Sequence, residues 1–564
     1  MHHTSKITPF IELRLWDDAD LPVLHRWFVN AAKRSQAAGF DLICLYGAHG
    51  FGIFQHFLSR ATNHRTDDYG GSLENRARFA QGVIGDIRDA VGDRMAISLR
   101  ASLDESIGDL GFSNAELREF IEMNRDLPDL WDLALGTWED CSGLSRFKDE
   151  AEQKTLVKGI CALSDRPVVG VGRFTSPDIM VRMVTSGTLD FIGCARPSIA
   201  DPFLPKKIED GRIDDIRECI GCNICITGDM TMSPSRCTQN PTFMEEWRKG
   251  WHPEIMNAKG DSQSVLVVGS GPAGLEATWA LCRRGYDVAL AEAKTNLGGR
   301  VARERSLPGL NAWGRVQDYR EYQLSQRANV EIYLDSKPDA ANILEFGFEH
   351  VAIATGSQWR RDGVARQHVV PMPIADTARV FTPDDLMDGN LPTGTVVLYD
   401  DDHYYMGGVL AELLAGQGAI VTLITPSAYV SDWTNNTLEQ ACIHAKLANM
   451  GVNIVLNRGV GDIAADHVVS HCVYTDAAQH HACDAVVMVA SRLGDDALYR
   501  NLLAQRADWA DAGIKSVRMF GDADAPGPIA WATYAGHRYA RELDQPAHGD
   551  ALPFRREVTA LARL

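Results

Sequence analysis

Four cysteines in the middle of the chain have the spacing of an iron–sulfur site. They form the run Cys219-x2-Cys222-x2-Cys225-x11-Cys237. Three thiolates at every third position can surround one corner of a cubane, and a fourth from a later turn can complete the ligand set. Zinc is the competing interpretation, but zinc sites more often use two separated cysteine pairs. The triplet with one distant cysteine therefore favours a [4Fe–4S] cluster held by these four residues.

A glycine-rich turn follows an apolar strand in the segment SVLVVGSGPAGLEATWALCRRGYDVALAEA. Gly269, Gly271 and Gly274 give the pattern Gly-x-Gly-x-x-Gly, and Glu292 ends the next strand. Such a turn lets a pyrophosphate approach the N-terminus of the following helix, while the acidic residue can hold a ribose hydroxyl. Close packing of the helix on the strand is the alternative reason for the glycines. In this context the pattern favours a nucleotide site.

Two later segments also have the order strand, turn, helix. In GTVVLYDDDHYYMGGVLAELLAG the residues Asp400, Asp401 and Asp402 stand where a glycine turn would be. Three acidic side chains repel a pyrophosphate, so this segment is not expected to bind NAD(P)H. Near the C-terminus, Asp522 lies in an acidic turn between a strand and a helix, and we assign it to cofactor binding.

Polar residues also mark the ends of strands in the first part of the chain. Tyr46 and His49 follow the apolar run of the first strand, where both side chains can reach one ligand. A structural Tyr–His pair is the alternative. Arg100 lies inside the apolar strand MAISLRAS, where a guanidinium needs either an anionic ligand or an internal Asp or Glu.

Glycines and arginines end the last two strands of this part. Backbone N–H groups and an arginine at such strand ends build the phosphate site of βα-barrels. The alternative is that each arginine pairs on the surface. The residues assigned to this site are Gly170, Gly172, Arg173, Gly193, Ala195 and Arg196.

The elements that must position these residues follow a βα pattern. Apolar strands are predicted at 41–49, 95–102, 129–136, 167–172 and 190–196, each followed by a helical stretch. The repetition predicts an α/β fold with a buried parallel sheet. A closed (β/α)8 barrel needs eight units, so five units imply either an open sheet or a barrel that lacks its first units.

The composition is that of an ordinary globular protein. The 564 residues carry 56 basic and 75 acidic side chains, and the net charge of −19 disfavours nucleic acid and anionic membranes as partners. No run approaches about 18 apolar residues and no secretory signal is recognised, so we expect a cytoplasmic protein. Twelve cysteines do not make a disulfide scaffold here, and the eight outside the run are interpreted as buried small hydrophobic residues.

Several motifs together resemble the trimethylamine dehydrogenase group of the old-yellow-enzyme superfamily. They are HRTDDYGGSLENRARF, Tyr46-x-x-His49, GVGR, GCARPSIADPFLP, the cysteine run and VLVVGSGPAGLEA. The group also contains dimethylamine and histamine dehydrogenases and, more distantly, 2,4-dienoyl-CoA reductase. The resemblance covers nearly the whole chain. It implies an FMN-bearing TIM barrel, a [4Fe–4S] connector and a glutathione-reductase-like pair of nucleotide-binding domains.

The resemblance also implies domain bounds. Residues 1–205 would be the C-terminal part of the barrel, with strands four to eight, and 206–260 the cluster segment. Residues 261–380 and 500–564 would form the domain that binds FAD or ADP, and 381–499 an inserted, degenerate NAD(P)-type domain. Strands one to three, with their early flavin contacts, would be absent.

Roles for individual residues follow from the same resemblance. Tyr46 and His49 would lie on the substrate side of the flavin, and Arg100 would face its N1/C2 edge. Arg196 with the glycines would hold the FMN phosphate. An acidic residue near the sixth barrel strand would complete a Tyr–His–Asp set, and either Glu139 or Asp140 could fill this place; we assign Asp140.

Two chemistries are open within the group. Ene reductases commonly carry His-x-x-His or His-x-x-Asn at the Tyr46 position and take hydride from NAD(P)H. The Tyr-x-x-His pattern and the acidic second turn favour amine oxidation, in which electrons leave through the cluster to an electron-transferring flavoprotein. A truncated, non-catalytic electron-transfer or nucleotide-binding remnant is the third hypothesis. A small amine substrate and a homodimer are expected.

Overall fold

The computed structural model describes residues 17–50 and 52–544. The chain divides into two compact units. The first unit comprises Met1–Pro253, Arg300–Tyr319 and Gln358–Leu493, and the second comprises Glu254–Gly299, Arg320–Ser357 and Gly494–Leu564. Within the described residues, no helix is long and apolar enough to cross a lipid bilayer.

The elements are numbered along the chain. The strands are β1 (Leu42–Gly47), β2 (Ala96–Ser102), β3 (Leu130–Ala134), β4 (Val168–Gly170), β5 (Phe191–Ile192), β6 (Ser264–Val268), β7 (Asp287–Ala291), β8 (Val330–Tyr333), β9 (His350–Ile353), β10 (Ser357–Trp359), β11 (Val380–Phe381), β12 (Thr395–Asp400), β13 (Ile420–Ile424), β14 (Asn453–Val455), β15 (Arg458–Ile463), β16 (His467–Cys472), β17 (Ala478–Ala482), β18 (Ala485–Val489), β19 (Arg492–Gly494) and β20 (Ser516–Met519). The helices are α1 (Leu21–Ala37), α2 (Ile53–Leu58), α3 (Leu73–Val91), α4 (Asn114–Met123), α5 (Trp138–Cys141), α6 (Lys154–Val157), α7 (Pro177–Thr185), α8 (Ala195–Ala200), α9 (Leu204–Glu209), α10 (Thr227–Thr231), α11 (Glu246–Lys249), α12 (Pro272–Arg284), α13 (Arg300–Glu304), α14 (Arg315–Ser325), α15 (Ala340–Phe346), α16 (Pro383–Met387), α17 (Tyr405–Gly416), α18 (Gln440–Asn449), α19 (Ala497–Ala504) and α20 (Ile529–Glu542).

The first sheet of the first unit is parallel, with β1 to β5 paired in chain order. The five strands predicted from the sequence are therefore confirmed, with shorter bounds. The connecting helices bury one apolar face. In α3, Ser72 caps the first turn by accepting from the Asn75 amide, and Phe79, Val83 and Ile87 are fully buried at helical spacing.

Burial alternates along β1. Leu45 and Gly47 are buried, whereas Cys44 and Tyr46 are exposed. Successive side chains of a strand point to opposite faces of the sheet. One face of this sheet therefore packs against helices, and the other carries Tyr46 and the polar residues that share its row.

The first unit contains a second parallel sheet, in the order β11-β18-β12-β13-β14. Its central strands are buried on both faces, as in Val396–Tyr399 of β12. Helix α17 packs on β12 and β13. A separate antiparallel sheet, β15-β16-β17, follows β14.

The second unit is built on one parallel sheet in the order β20-β9-β6-β7-β8. Helices α12 and α20 pack closely, since a side chain at Gly536 would collide with the backbone carbonyl of Ala273. The core beneath them contains apolar residues from β6 and β7, including Val265, Val267 and Leu290. An α/β fold is confirmed for both units.

Candidate functional site

Three polar residues form one row across the first sheet. The register places Tyr46 beside Arg100, and Arg100 beside Asp132. Nε and a terminal nitrogen of Arg100 contact the same oxygen of Asp132, at 2.7 and 2.5 Å. The guanidinium carbon lies 5.6 Å from the centre of the Tyr46 ring. The row thus combines a phenol, a cation and a buried anion.

Asp132 is the residue that the sequence analysis missed. Its side chain is mostly buried, and its second oxygen, Oδ1, is buried with no hydrogen-bond partner in the described part of the chain. The sequence does contain a sign of this residue, since Asp132 is a carboxylate inside the apolar strand DLWDLALG. A carboxylate at such a position requires a partner. Of the two explanations offered for Arg100, the structure supplies the internal acid.

His49 follows β1 in a left-handed backbone conformation, with φ of 59°. Its Nδ1 shares a hydrogen bond with the Tyr46 hydroxyl, and its Nε2 is buried without a partner among the residues that the structure describes. Burial, and then the nearby charge of Arg100, lower the pKa of His49 to about 4. Burial also raises the pKa of Tyr46, although Arg100 opposes this shift. Near neutral pH the pair is therefore uncharged.

Asp140 lies in the short helix α5. Its amide donates to the Thr137 hydroxyl at 3.1 Å, and that hydroxyl donates to its carboxylate at 2.8 Å. Among the described hydrogen bonds and ion pairs, none joins Asp140 to Tyr46 or His49. The structure thus brings Tyr46, His49 and Arg100 together, while the assignment of Asp140 stays a prediction.

Two arginines lie at the ends of the last strands of the first sheet. Arg196 donates to the carbonyl of Gly143 at 2.8 Å. Arg173 has a positive φ of 53°, and its Nε is buried without a partner. Burial is the main cause that lowers the pKa of Arg173, and the charges of Arg315 and Arg196 add to it while Glu150 opposes it. A crowded cationic site with an unpartnered donor fits an anion such as a phosphate.

The predicted glycines pack these strand ends closely. The Gly193 amide donates to the carbonyl of Gly170 at 2.9 Å. A Cβ at Gly193 would lie 2.7 Å from the Val171 side chain, and Gly172 has φ of 139°. Ala195 begins helix α8 directly after this turn. The turn therefore requires small residues for its own packing, and the phosphate role stays a prediction.

Three of the four cysteines of the run have a raised pKa. Burial is the largest cause that raises the pKa of Cys222 to about 12 and of Cys237 to about 11. It raises the pKa of Cys225 further, together with the charges of the other three thiols. Left-handed backbone at Gly221 turns the chain between the first two ligands.

Donors surround these sulfur atoms. The Gly221 amide donates to Sγ of Cys219, and the Thr238 hydroxyl lies 3.2 Å from Sγ of Cys222. In the part of the chain that is described, no three His, Cys, Asp or Glu side chains converge closely enough for a single metal ion. The four thiols and the donors at Cys219 and Cys222 have the chemistry of iron–sulfur ligands, although the described side chains are not gathered into a metal site, and the cluster stays a prediction.

The glycine turn of the second unit joins β6 to α12. Gly269 has φ of 100°, and a side chain at Gly274 would collide with the carbonyl of Gly269. A Cβ at Gly271, in contrast, would meet no atom within 4 Å. The N-terminus of α12 is therefore open at Gly271, which fits the approach of a phosphate.

The two acids assigned to this nucleotide site already have backbone partners. Glu292 accepts from the amide and hydroxyl of Ser270 and from the amide of Lys294. Asp522 is mostly buried and accepts from the amide of Gly527 at 3.1 Å. Both acids stabilise turns in the second unit, and their contacts with a nucleotide stay predictions.

The acidic turn after β12 is closed by its own side chains. Asp400 is fully buried, accepts from the His403 amide at 3.0 Å and leaves Oδ2 without a partner. Burial raises the pKa of Asp400 to about 7, and the charge of Asp402 contributes. Tyr405 begins helix α17, and its hydroxyl donates to Glu304 at 2.6 Å.

Models of three protein families match the sequence. Residues 9–215 match the NADH:flavin oxidoreductase / NADH oxidase family. Residues 267–320 match an NAD(P)-binding Rossmann-like domain, and residues 381–485 match the second alpha/beta domain of old-yellow-enzyme-like proteins.

Individual relatives match over most of the chain. Dimethylamine dehydrogenase from Hyphomicrobium sp. (strain x) is 38% identical over 96% of this chain and 78% of its own length. The structure of histamine dehydrogenase from Rhizobium sp. 4-9 is similar with a TM-score of 0.96 and 72% identity, covering 98% of this chain and 81% of that chain. The structure of 6-hydroxypseudooxynicotine amine oxidase from Pseudomonas geniculata N1 is similar with a TM-score of 0.92 and 44% identity, covering 96% and 81%.

Proposed function

Because this chain belongs to the trimethylamine, dimethylamine and histamine dehydrogenase group of the NADH:flavin oxidoreductase family, we propose that it oxidises a small amine at the carbon next to nitrogen. The observation that carries the proposal is the uncharged Tyr46–His49 pair beside the Arg100–Asp132 ion pair. Bound FMN would supply the acceptor for the hydride equivalent. Water then hydrolyses the resulting imine to an aldehyde and a smaller amine.

Residues of the first sheet have the remaining roles in the proposed reaction. The imidazole of His49 is neutral near pH 7, because its pKa is held near 4, and within the described residues its Nε2 has no hydrogen-bond partner, so this nitrogen can hydrogen-bond the nitrogen of a neutral amine. Tyr46 holds Nδ1 of this imidazole and orients the ring. Arg100 would hold the N1/C2 edge of FMN, and Arg173 and Arg196 would hold its phosphate.

The four cysteines would hold a [4Fe–4S] cluster, which supplies single-electron transfer when it is bound. The spacing of the run and the donors to the sulfur atoms of Cys219 and Cys222 support this ligand set. An electron-transferring flavoprotein would be the acceptor. The open turn at Gly271 would hold the ADP moiety of FAD or ADP itself. The closed acidic turn at Asp400 supports an insertion at 381–499 that takes no NAD(P)H.

The remaining parts of the proposal concern architecture. The five parallel strands would correspond to strands four to eight of a (β/α)8 barrel, with 206–260 as the cluster segment. Residues 261–380 and 500–564 would form the nucleotide-binding domain. A homodimer and a cytoplasmic location belong to the same proposal.

Anaerobic mixing of the FMN-loaded protein with single amines tests the proposal. Histamine, dimethylamine and trimethylamine are tried in parallel, with NADH and NADPH as the comparison. We expect at least one amine to bleach the flavin absorbance within seconds. Bleaching by NADPH alone would contradict amine oxidation and favour an ene reductase.

A further inference from the structure

Gln55 joins the loops that follow three consecutive strands. It lies in α2 and is 1% exposed. Its Oε1 accepts from the amide of Gly50, in the loop after β1, at 2.8 Å. Its Nε2 donates to Glu105, after β2, at 2.7 Å, and to the carbonyl of Gly136, after β3, at 3.3 Å. Donor and acceptor atoms of one buried amide are thus all used.

Glu105 is fixed in turn by its own loop. One oxygen accepts from Gln55, and the other accepts from the Ser59 hydroxyl and the Phe112 amide. The loops after β2 and β3 are also in direct contact, because the Gly136 amide donates to the carbonyl of Asp104 at 2.9 Å. A half-buried carboxylate with donors on both oxygens has one preferred position.

The loops held in this way carry the predicted reacting groups. His49 immediately precedes Gly50, and both residues have positive φ, so the backbone needs support at this point. His56, one residue after Gln55, contacts the carbonyl of Gly50 at 2.9 Å. Gly136 immediately precedes Thr137, the cap of the helix that contains Asp140.

We propose that Gln55 is a positioning residue which, through Glu105, holds the His49 loop against the loop after β3. Among the described hydrogen bonds of Gln55 none reaches the His49 imidazole, so Gln55 acts through Gly50. The proposal rests on the proposed function, because positioning matters only if His49 takes part in amine oxidation. Misplacement of a reacting group by about 1 Å can lower a rate by about 100-fold.

Exchanging the side chains of Gln55 and Glu105 tests the proposal. Gln55→Glu places two carboxylates side by side, and Glu105→Gln removes the charged acceptor that Gln55 and Ser59 share. The double variant Gln55→Glu/Glu105→Gln restores one amide and one carboxylate at 2.7 Å. Gln81→Glu is the matched control, because Gln81 donates to Asn124 between α3 and α4, away from these loops.

We expect each single variant to lower kcat/KM for the amine by about 10- to 100-fold, mainly through kcat. The double variant should recover most of this loss, and the control should stay within about twofold of the parent protein. The values of kcat and kcat/KM are calculated per bound FMN, so that a smaller amount of folded protein does not lower them. Single variants with reduced thermal stability but unchanged kcat would overturn the positioning role.

Hydrogen exchange at the Gly50 amide separates this proposal from the proposed function. This amide donates to Gln55, so the single variants should exchange at least about tenfold faster and the double variant should exchange at the parent rate. If no amine reduces the parent protein, the proposed function fails while the exchange data still test the contact. Unchanged exchange in both single variants would contradict the proposal.

Discussion

Asp132 binds Arg100 through one carboxylate oxygen and keeps its other oxygen buried without a partner. The two residues are neighbours in the register of β2 and β3, so their contact follows directly from strand pairing. The carboxylate balances the charge of a guanidinium that is only partly exposed. It thereby controls how much positive charge Arg100 can offer to a group on the open face of the sheet.

Asp132→Asn tests this balance. The amide has nearly the same shape, and its oxygen can still accept from Arg100, so we expect the fold and FMN binding to persist. The charge of Arg100 is then uncompensated and stabilises an anionic reduced flavin more strongly. The two-electron potential of the flavin should rise by about 20 to 60 mV. Spectroelectrochemical titration measures it.

Asp129→Asn is the matched control. Asp129 lies directly before β3, the strand that contains Asp132, and pairs with Arg88 at 3.0 Å. We expect its flavin potential to stay within about 10 mV of the parent value. A fall in potential in Asp132→Asn would contradict the charge argument.

His49 makes the first unit less stable in acid. Its pKa is about 4 in the folded protein and about 6.5 in the unfolded chain, so the unfolded state binds a proton first. Stability is complete above pH 6.5 and decreases by up to about 3 kcal/mol as the pH falls toward 4. His49→Asn, which tolerates the left-handed conformation, should remove this decrease. Urea unfolding at pH 7.5 and pH 5 measures it.

The control for this prediction is His64→Asn, at an exposed position of the same unit. It should retain the parent difference in unfolding free energy between the two pH values. An equal difference in His49→Asn and the parent protein would show that the imidazole is not buried as described.

The sequence predicted those parts of the site that local patterns encode. Tyr46 and Arg100 are recognisable because each is a polar residue in or beside an apolar strand. The contact of Arg100 with Asp132 and the place of Arg100 beside Tyr46 depend on the register between strands that are about 30 to 50 residues apart, and a local pattern carries no such information. The hydrogen bonds of Gln55 could not be predicted for the same reason.

Cysteine burial shows where the predictions were wrong. The cysteines outside the run were interpreted as buried, and this is correct for Cys282 and Cys483. Cys44 and Cys442, however, are exposed. Cys44 lies on the face of β1 that also carries Tyr46, so its exposure follows from strand alternation. An apolar strand pattern alone does not say which face is covered.

Cys237→Ala tests the metal site. We expect loss of iron and sulfide while FMN is retained, because the two sites use different residues. Amine reduction of the flavin should persist, and reoxidation by a one-electron acceptor should slow by at least about 10-fold. Iron analysis and EPR of the reduced protein measure the cluster. Cys282→Ala, at a buried thiol of the second unit, should keep full iron content. Unchanged iron in Cys237→Ala would contradict the ligand assignment.

Gly274→Ala and Gly271→Ala separate packing from ligand approach in the second unit. A methyl group at Gly274 collides with the carbonyl of Gly269, so we expect a loss of about 2 kcal/mol or more in stability. A methyl group at Gly271 meets no protein atom, so stability should change by less than about 0.5 kcal/mol. It should still weaken nucleotide binding, because it points into the open turn. Thermal unfolding and the adenine content of the purified protein measure the two effects. Full adenine content in Gly271→Ala would contradict a nucleotide at this turn.

Asp400 gives the opposite pH dependence from His49. Its pKa is about 7 in the folded protein, chiefly because of burial, against about 3.8 in the unfolded chain. The folded state therefore holds a proton that the unfolded state has lost, and the stabilisation disappears as the pH rises toward and beyond 7. Asp400→Asn keeps an oxygen for the His403 amide and carries no charge. The parent loses stability progressively between about pH 4 and pH 7, so we expect the advantage of the variant over the parent to be larger at pH 8 than at pH 5 by about 1 to 3 kcal/mol. Chemical unfolding at the two pH values measures this, with Asp462→Asn, at an exposed position of β15, as the control. An equal gain at both pH values would mean that the variant improves packing rather than relieving a buried charge.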